Sequence, residues 1–261
     1  PRNMTGAFSE FFDKVLVDAP CSGEGMFRKD PKAAASWQAF SGEVCRKMQD
    51  DILQSAAVML KPGGRLLYST CTFNPLENEE AISAFLEAHP DFKLLDLPLY
   101  AGWQPGPMLP QTRQLWPHLV KGEGHFVALL QKSGAAAASR KRTFTEKKVK
   151  ELEPFYRFMA EYLTEPLPGP FALYDKHVYQ VNPCLPDLKG LKVAKPGWYL
   201  GVLKGSNFEP SQAMAMGLKS EQFKQCLHLP ADSPLVERYL KCETLMLEGP
   251  KGWTLVTLEG Y

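Results

Sequence analysis

The sequence predicts an α/β domain followed by a small α+β domain. Three observations predict it. Apolar runs alternate with helix-period stretches through the earlier part of the 261 residues. A small-residue and basic segment from Ser133 to Lys150 then breaks the pattern. Beyond it, short strands and turn residues take over. Strand, helix, strand, helix, strand with turns at the joints argues for a parallel sheet with right-handed crossovers.

The elements follow in order. Phe12 to Ala19 reads as the first strand, around the apolar run Val15-Leu16-Val17. Gly42 to Leu60 reads as a helix. Val44, Met48, Ile52, Ala56 and Leu60 recur at helical spacing, and Cys45, Leu53 and Met59 widen the apolar face. Lys61-Pro62-Gly63-Gly64 supplies a basic last turn and then breakers. Gly64 to Cys71 is the second strand. Pro75 to Ala88 is a second helix with Ala81, Ile82, Phe85 and Leu86 inward. Glu77, Glu79 and Glu80 lie near its positive end. Phe92 to Leu97 is a third strand, Pro98 to Pro110 a Pro/Gly-rich excursion, and Gly124 to Gln131 a fourth strand.

Residues 1–132 form one domain on this reading, 133–150 a linker and 151–261 a second domain. The linker carries Arg140-Lys141-Arg142 and Lys147-Lys148-x-Lys150, read either as a solvated basic run or as a phosphate contact. The second domain starts with a helix from Pro154 to Leu163. Strands follow at His177 to Val181, Leu191 to Ala194, Trp198 to Lys204, Thr244 to Glu248 and Trp253 to Leu258. Short helices are expected at Ser211 to Leu218, Glu221 to Leu227 and Ser233 to Leu240. Trp198, Tyr199 and Phe208 read as core aromatics rather than stacking platforms.

Composition narrows the function classes. A net charge of +1 leaves no global basic field, so any nucleic-acid contact must come from local patches. The six cysteines are widely spaced with no Cys-x-x-Cys pair, which disfavours a metal site. Free thiols in a reducing cytoplasm are expected. No apolar run approaches the ~20 residues of a membrane span, and no signal peptide is visible.

Two motifs carry the chemistry. Asp18-Ala19-Pro20-Cys21-Ser22-Gly23 follows the first strand, and Ser69-Thr70-Cys71-Thr72-Phe73 ends the second. Both cysteines, and Asp18, therefore fall at carboxyl ends of strands, where open α/β sheets hold their ligands. A free cysteine titrates near ~8.5 and only its thiolate is a good nucleophile. Buried packing is the usual role of a lone cysteine. Cys45, Cys184, Cys226 and Cys242 are read that way, whereas Cys21 and Cys71 together suggest covalent catalysis.

Several stretches then carry a family resemblance. They are Asp18 through Asp30, Gln49-x-x-Ile52-Leu53, Leu60-Lys61-Pro62-Gly63-Gly64-Arg65-Leu66-x-Tyr68-Ser69-Thr70-Cys71-Thr72-Phe73, and Glu77-Asn78-Glu79. These resemble the Sun (Fmu) family of RNA cytosine-5 methyltransferases, and within it the bacterial ribosomal RNA members. The segment from Gly190-Leu191-Lys192-Val193 through Phe208-Glu209-Pro210-Ser211 is similar to the PUA-like RNA-binding domain of those enzymes.

The resemblance implies the later half of a Rossmann-like methyltransferase sheet followed by a PUA-like domain, with S-adenosylmethionine as cofactor. It implies that Cys71 attacks C6 of cytosine and that Cys21 serves the release step. Asp18 would lie at the cofactor and cytosine end of the crevice. Phe27, Arg28 and Lys29 would meet RNA, their alternative being an ordinary surface turn. Ribosomal RNA or the small ribosomal subunit is the expected partner, with transfer RNA also open.

No glycine-rich cofactor loop precedes Asp18. The chain is therefore expected to be the middle and later part of a larger protein, with one sheet edge left open. Alone, it is expected to be inactive and to bind S-adenosylmethionine weakly or not at all. A non-catalytic RNA-binding or assembly module is the alternative. A thiol hydrolase is a third reading, weakened because none of the five histidines lies in either motif.

Overall fold

Val15, Leu16 and Val17 favour extended backbone, and Phe12–Asp18 forms strand β1 in a computed structural model of the chain. The structure describes residues 2–37, 41–135, 144 and 150–260. Backbone contacts divide the chain into two units, Pro1–Ser139 and Arg140–Tyr261. Both basic triplets of the expected linker lie outside the described residues, except Lys150.

In the first unit, β1 is followed by helices α1 (Pro31–Trp37) and α2 (Gly42–Met59). Then come β2 (Leu60–Thr70), α3 (Glu79–Ala88), β3 (Phe92–Leu95), β4 (Trp103–Pro105), β5 (Arg113–Leu115) and β6 (His125–Lys132). The sheet order is β1-β2-β6-β5-β4, with β3 pairing a further stretch of β6. Only β1 and β2 are parallel neighbours, in a register that sets Asp18 opposite Ser69.

The expected parallel sheet is thus corrected. β1, β2 and β3 do share one direction, but β6 inserts antiparallel between β2 and β3. The chain from β3 to β6 holds the β4–β5 hairpin and no crossover helix, so it returns antiparallel. That hairpin lies across and just beyond the Pro/Gly-rich excursion, where no strand is expected.

Two further expectations shift locally. Lys61-Pro62-Gly63-Gly64 does not end α2 as a turn. Leu60 opposes Phe12 and Arg65 opposes Lys14, so residues 61–64 form a bulge inside β2, with Gly63 at φ 76°. Helix α3 starts at Glu79 rather than Pro75, because Asn74, Glu77 and Asn78 spend their side chains on the neighbouring loops.

The buried face of α2 is also offset from the expected stripe. Val44 and Met48 are exposed, while Cys45, Gln49, Leu53, Ala56 and Ala57 are buried. Leu66, Tyr68, Phe126, Ala128 and Leu130 from β2 and β6 complete this core with Ile82 and Phe85 of α3. Each large apolar side chain so buried contributes about 1.5–3 kcal/mol.

The second unit contains α4 (Glu153–Tyr162), β7 (Phe171–Tyr174), β8 (His177–Val181), β9 (Gly197–Lys204) and β10 (Asn207–Pro210). It continues with α5 (Gln212–Gly217), β11 (Cys226–Leu229), α6 (Pro234–Leu240) and β12 (Leu255–Leu258). An antiparallel meander, β10-β9-β8-β7, packs on α4 and α5, and β11 pairs with β12. Leu191 to Ala194 and Thr244 to Glu248 are not strands, and both are largely exposed. The expected helix over Glu221 to Leu227 splits into a single 3-10 turn, Ser220–Gln222, and strand β11. Phe208 is core, and Trp198 and Tyr199 are partly buried against core clusters.

Among the described residues, no helix is long and apolar enough to cross a membrane, and no cluster of acidic, His or Cys side chains could hold a metal.

Candidate active site

Parallel pairing of β1 with β2 brings the two cysteine loops side by side at the carboxyl ends of both strands. The sulfurs of Cys21 and Cys71 lie 3.3 Å apart. The Cys71 backbone N–H also donates to Cys21 Sγ at 3.4 Å. Gly25 closes the gap from the other side, its N–H donating to the Cys71 carbonyl at 2.9 Å. A Cβ on Gly25 would stand 2.8 Å from that same oxygen, so glycine is required for this approach.

The pair is electrically asymmetric. A hydrogen bond from Cys21 stabilises the Cys71 thiolate and brings the Cys71 pKa down to about 7, against opposing burial and the negative charge of Asp18. Cys21, the more deeply buried sulfur, is pushed well up by that hydrogen bond and by burial. The contact therefore eases ionisation of Cys71 and opposes that of Cys21.

Around the thiols lies a buried polar network that sequence reasoning missed. Glu77 Oε1 accepts the Ser22 hydroxyl at 2.6 Å and Oε2 accepts the Ser22 N–H at 2.9 Å. Ser22 Oγ also contacts Thr72 Oγ1 at 2.8 Å. Glu24 accepts the Phe73 N–H at 3.0 Å and the Thr72 hydroxyl at 3.1 Å. Asn78 accepts from Thr70 Oγ1 at 2.6 Å and donates to the Thr72 carbonyl at 3.0 Å. Gln49 donates to the Pro20 carbonyl at 2.9 Å and to Glu77 at 3.1 Å, which is why a polar residue sits on the buried face of α2. The Glu77-Asn78-Glu79 run was the available signal; Glu79, also buried, has its carboxyl pKa raised by that burial.

Asp18 is exposed at the end of β1 and accepts the Ser69 hydroxyl at 3.3 Å. Arg28 and Lys29 are exposed, in the turn after the single 3-10 turn Glu24–Met26. They reach toward the loop before β6 rather than toward the sulfurs. Arg28 donates to the Gly122 carbonyl at 2.8 Å, and Lys29 lies 3.8 Å from Glu123. Phe73 stacks on Trp116 at 5.0 Å between ring centroids, fixing the far side of the Cys71 loop. His125 Nδ1 bonds the Thr70 carbonyl at 3.1 Å. A concavity of about 990 Å³ in the second unit, lined by Met214, Leu218, Phe223 and Trp253 among others, contains none of these residues.

The site is an α/β unit with two thiols in contact at the carboxyl ends of two parallel strands. The family profile for 16S rRNA methyltransferase RsmB/F matches residues 1–131, and the chain belongs to that family. A second profile, the RsmF rRNA methyltransferase first C-terminal domain, matches residues 157–218. The chain is 42% identical over 129 residues to ribosomal RNA small subunit methyltransferase F of Erwinia tasmaniensis, covering 48% of this chain and 27% of the relative. It is 41% identical over 137 residues to the namesake from Pectobacterium atrosepticum, covering 51% of this chain and 28% of the relative. The crystal structure of a methyltransferase homolog protein from Pyrococcus horikoshii is 31% identical, covering 46% of this chain and 39% of that chain, with a TM-score of 0.37. The chain thus spans little more than a quarter of the length of these curated relatives.

Proposed function

We propose that the complete protein methylates C5 of a cytosine in RNA, most simply in the small-subunit ribosomal RNA, through a covalent adduct at Cys71. The observation that carries this reading is the 3.3 Å contact between one sulfur inclined to ionise and one inclined to stay protonated. Family membership supports the RNA substrate.

In this mechanism the Cys71 thiolate attacks C6 of the cytosine, the S–C6 bond forms, and C5 becomes electron-rich. S-adenosylmethionine, when bound, supplies the methyl group that C5 takes. A general base then takes the C5 proton, the C5–H electron pair re-forms the C5=C6 double bond, and the S–C6 bond breaks as the Cys71 thiolate leaves. Cys21, touching the Cys71 sulfur, assists that departure. Asp18, whose charge reaches Cys71, faces the cytosine and the cofactor from the end of β1. It is the one predicted cofactor contact among the described residues, so this chain alone binds the cofactor weakly. Arg28 and Lys29, exposed beside the motif, meet RNA phosphates. The second unit is an RNA-binding module of the PUA-like kind. Six free cysteines suit a reducing cytoplasm.

A thiol hydrolase would need a histidine oriented by or toward a sulfur; the Nδ1 of His125 is instead engaged by the Thr70 carbonyl.

The test is capture of RNA containing 5-fluorocytosine by the complete protein with its cofactor. The wild type should form a covalent complex, and Cys71→Ala should form none. Cys21→Ala should form the adduct with ordinary RNA and release it slowly. An adduct that persists in Cys71→Ala overturns the assignment.

A further inference from the structure

We infer that Glu77 is the positioning residue that holds the two thiol loops in register, an inference that rests on the covalent role proposed for Cys71. Glu77 is fully buried, and it touches neither sulfur in the network described above. Its grip is on the residues beside them. Ser22, which follows Cys21, is held through both its N–H and its hydroxyl, at 2.9 and 2.6 Å. That hydroxyl touches Thr72, which follows Cys71, at 2.8 Å. The side chain therefore spans from one loop to the other through a single serine.

The chemistry of the donor set selects a carboxylate. Four donors converge on its two oxygens. Ser22 Oγ and Asn74 Nδ2 meet Oε1, and Ser22 N and Gln49 Nε2 meet Oε2. An amide turned either way would set its N–H groups against at least one N–H donor. Gln49 adds a tie to the Pro20 carbonyl at 2.9 Å, so the residue just before Cys21 is fixed from the same hub. The backbone carbonyl of Glu77 takes the Tyr68 hydroxyl at 2.7 Å, anchoring the hub to β2.

Packing gives an independent sign that the space is built around this group. A Cβ on Gly42, the first residue of α2, would lie 2.4 Å from Asn74 Nδ2 and 3.2 Å from Glu77 Oε1. Burying a carboxylate among uncharged donors is costly relative to an apolar core. Its return here is geometric, because without it the Cys21 S–H is no longer held against the Cys71 sulfur.

The experiment is alkylation of the chain with iodoacetamide, with each cysteine followed by peptide mass spectrometry across pH. In the wild type, Cys71 should react well ahead of Cys21 at pH 7. Glu77→Gln should slow Cys71 about tenfold at that pH, as expected when a thiol returns to its free value, and should move the midpoint of its pH profile upward. Tyr68→Phe removes a buried hydrogen bond to the same residue without touching the carboxylate. It should lower the melting temperature yet leave the Cys71 profile in place. A folded Glu77→Gln protein with an unchanged Cys71 profile overturns the inference. If Glu77→Gln does not fold, Ser22→Ala decides in the same assay, since it removes the hydroxyl that links Glu77 to Thr72: a slowed Cys71 supports the inference and an unchanged one overturns it. The assay contains no RNA. Loss of the Glu77 effect alongside intact RNA capture refutes only this role, and the converse refutes only the methyltransfer reading.

Discussion

At the scale of single residues, proton placement between Cys21 and Cys71 governs how readily each thiol reacts. The Cys21 hydrogen bond is the largest influence on Cys71 and lowers its pKa to about 7. Alkylation of Cys71 should therefore be half-maximal near that pH, rising as pH rises through it and falling about tenfold per unit below it. Cys21→Ala deletes the donor, so the midpoint should move up toward the ~8.5 of a free thiol. A midpoint that stays near pH 7 in that variant would show that another group activates Cys71. The sulfurs themselves were legible in the sequence, because two cysteines flanked by Pro, Gly, Ser or Thr at strand ends are unusual company for packing residues. Glu77 was not. A glutamate early in a helical pattern reads as a partner for the helix dipole. Only the tertiary approach of Ser22, at 55 residues' separation, reveals a buried hub.

Among the elements, the loop from Cys21 to Gly25 is a tight joint. The Gly25 Cβ position lies 2.8 Å from the Cys71 carbonyl oxygen and 2.9 Å from that of Glu123. Both obstacles are backbone, so neither yields cheaply. Gly25→Ala should cost about 1–3 kcal/mol by overpacking, read as a lower urea midpoint with an unchanged slope. It should also widen the sulfur pair, so Cys71 alkylation at pH 7 should slow; a stable variant with wild-type reactivity would remove Gly25 from the account. The types of β1, α2, β2, α3 and β6 were legible from periodicity; α1, the β4–β5 hairpin and the joints were not. Lys61-Pro62-Gly63-Gly64 carries every mark of a helix stop, yet it bulges within β2, since Leu60 is already paired with Phe12. The stripe of α2 was read one residue off because Gln49 looks solvent-facing until its two buried acceptors are known.

Over the whole molecule, each unit has its own core. In the second, Phe155 is fully buried and meets Phe171 at 4.9 Å and Phe208 at 5.0 Å between ring centroids. Phe155→Ala should cost that unit about 3–5 kcal/mol. Calorimetry should show its transition lowered, while Cys71 alkylation in the first unit keeps its wild-type profile. A shift in both would mean that the two cores melt as one. The shared direction of β1, β2 and β3 was legible from the order of strands and helices. The insertion of β6 between β2 and β3 was not, because chain order alone implies a crossover wherever the next strand appears. In the second unit, Leu191 to Ala194 and Thr244 to Glu248 have strand-like residues but no partner to bury them, and they remain irregular.

Strand β1 pairs with β2 on one side and, among the described residues, with no strand on the other; Leu16 on it is 66% exposed. Such an edge is a template. In the complete protein, an extended segment of suitable pattern can add to that side and cover the leucine.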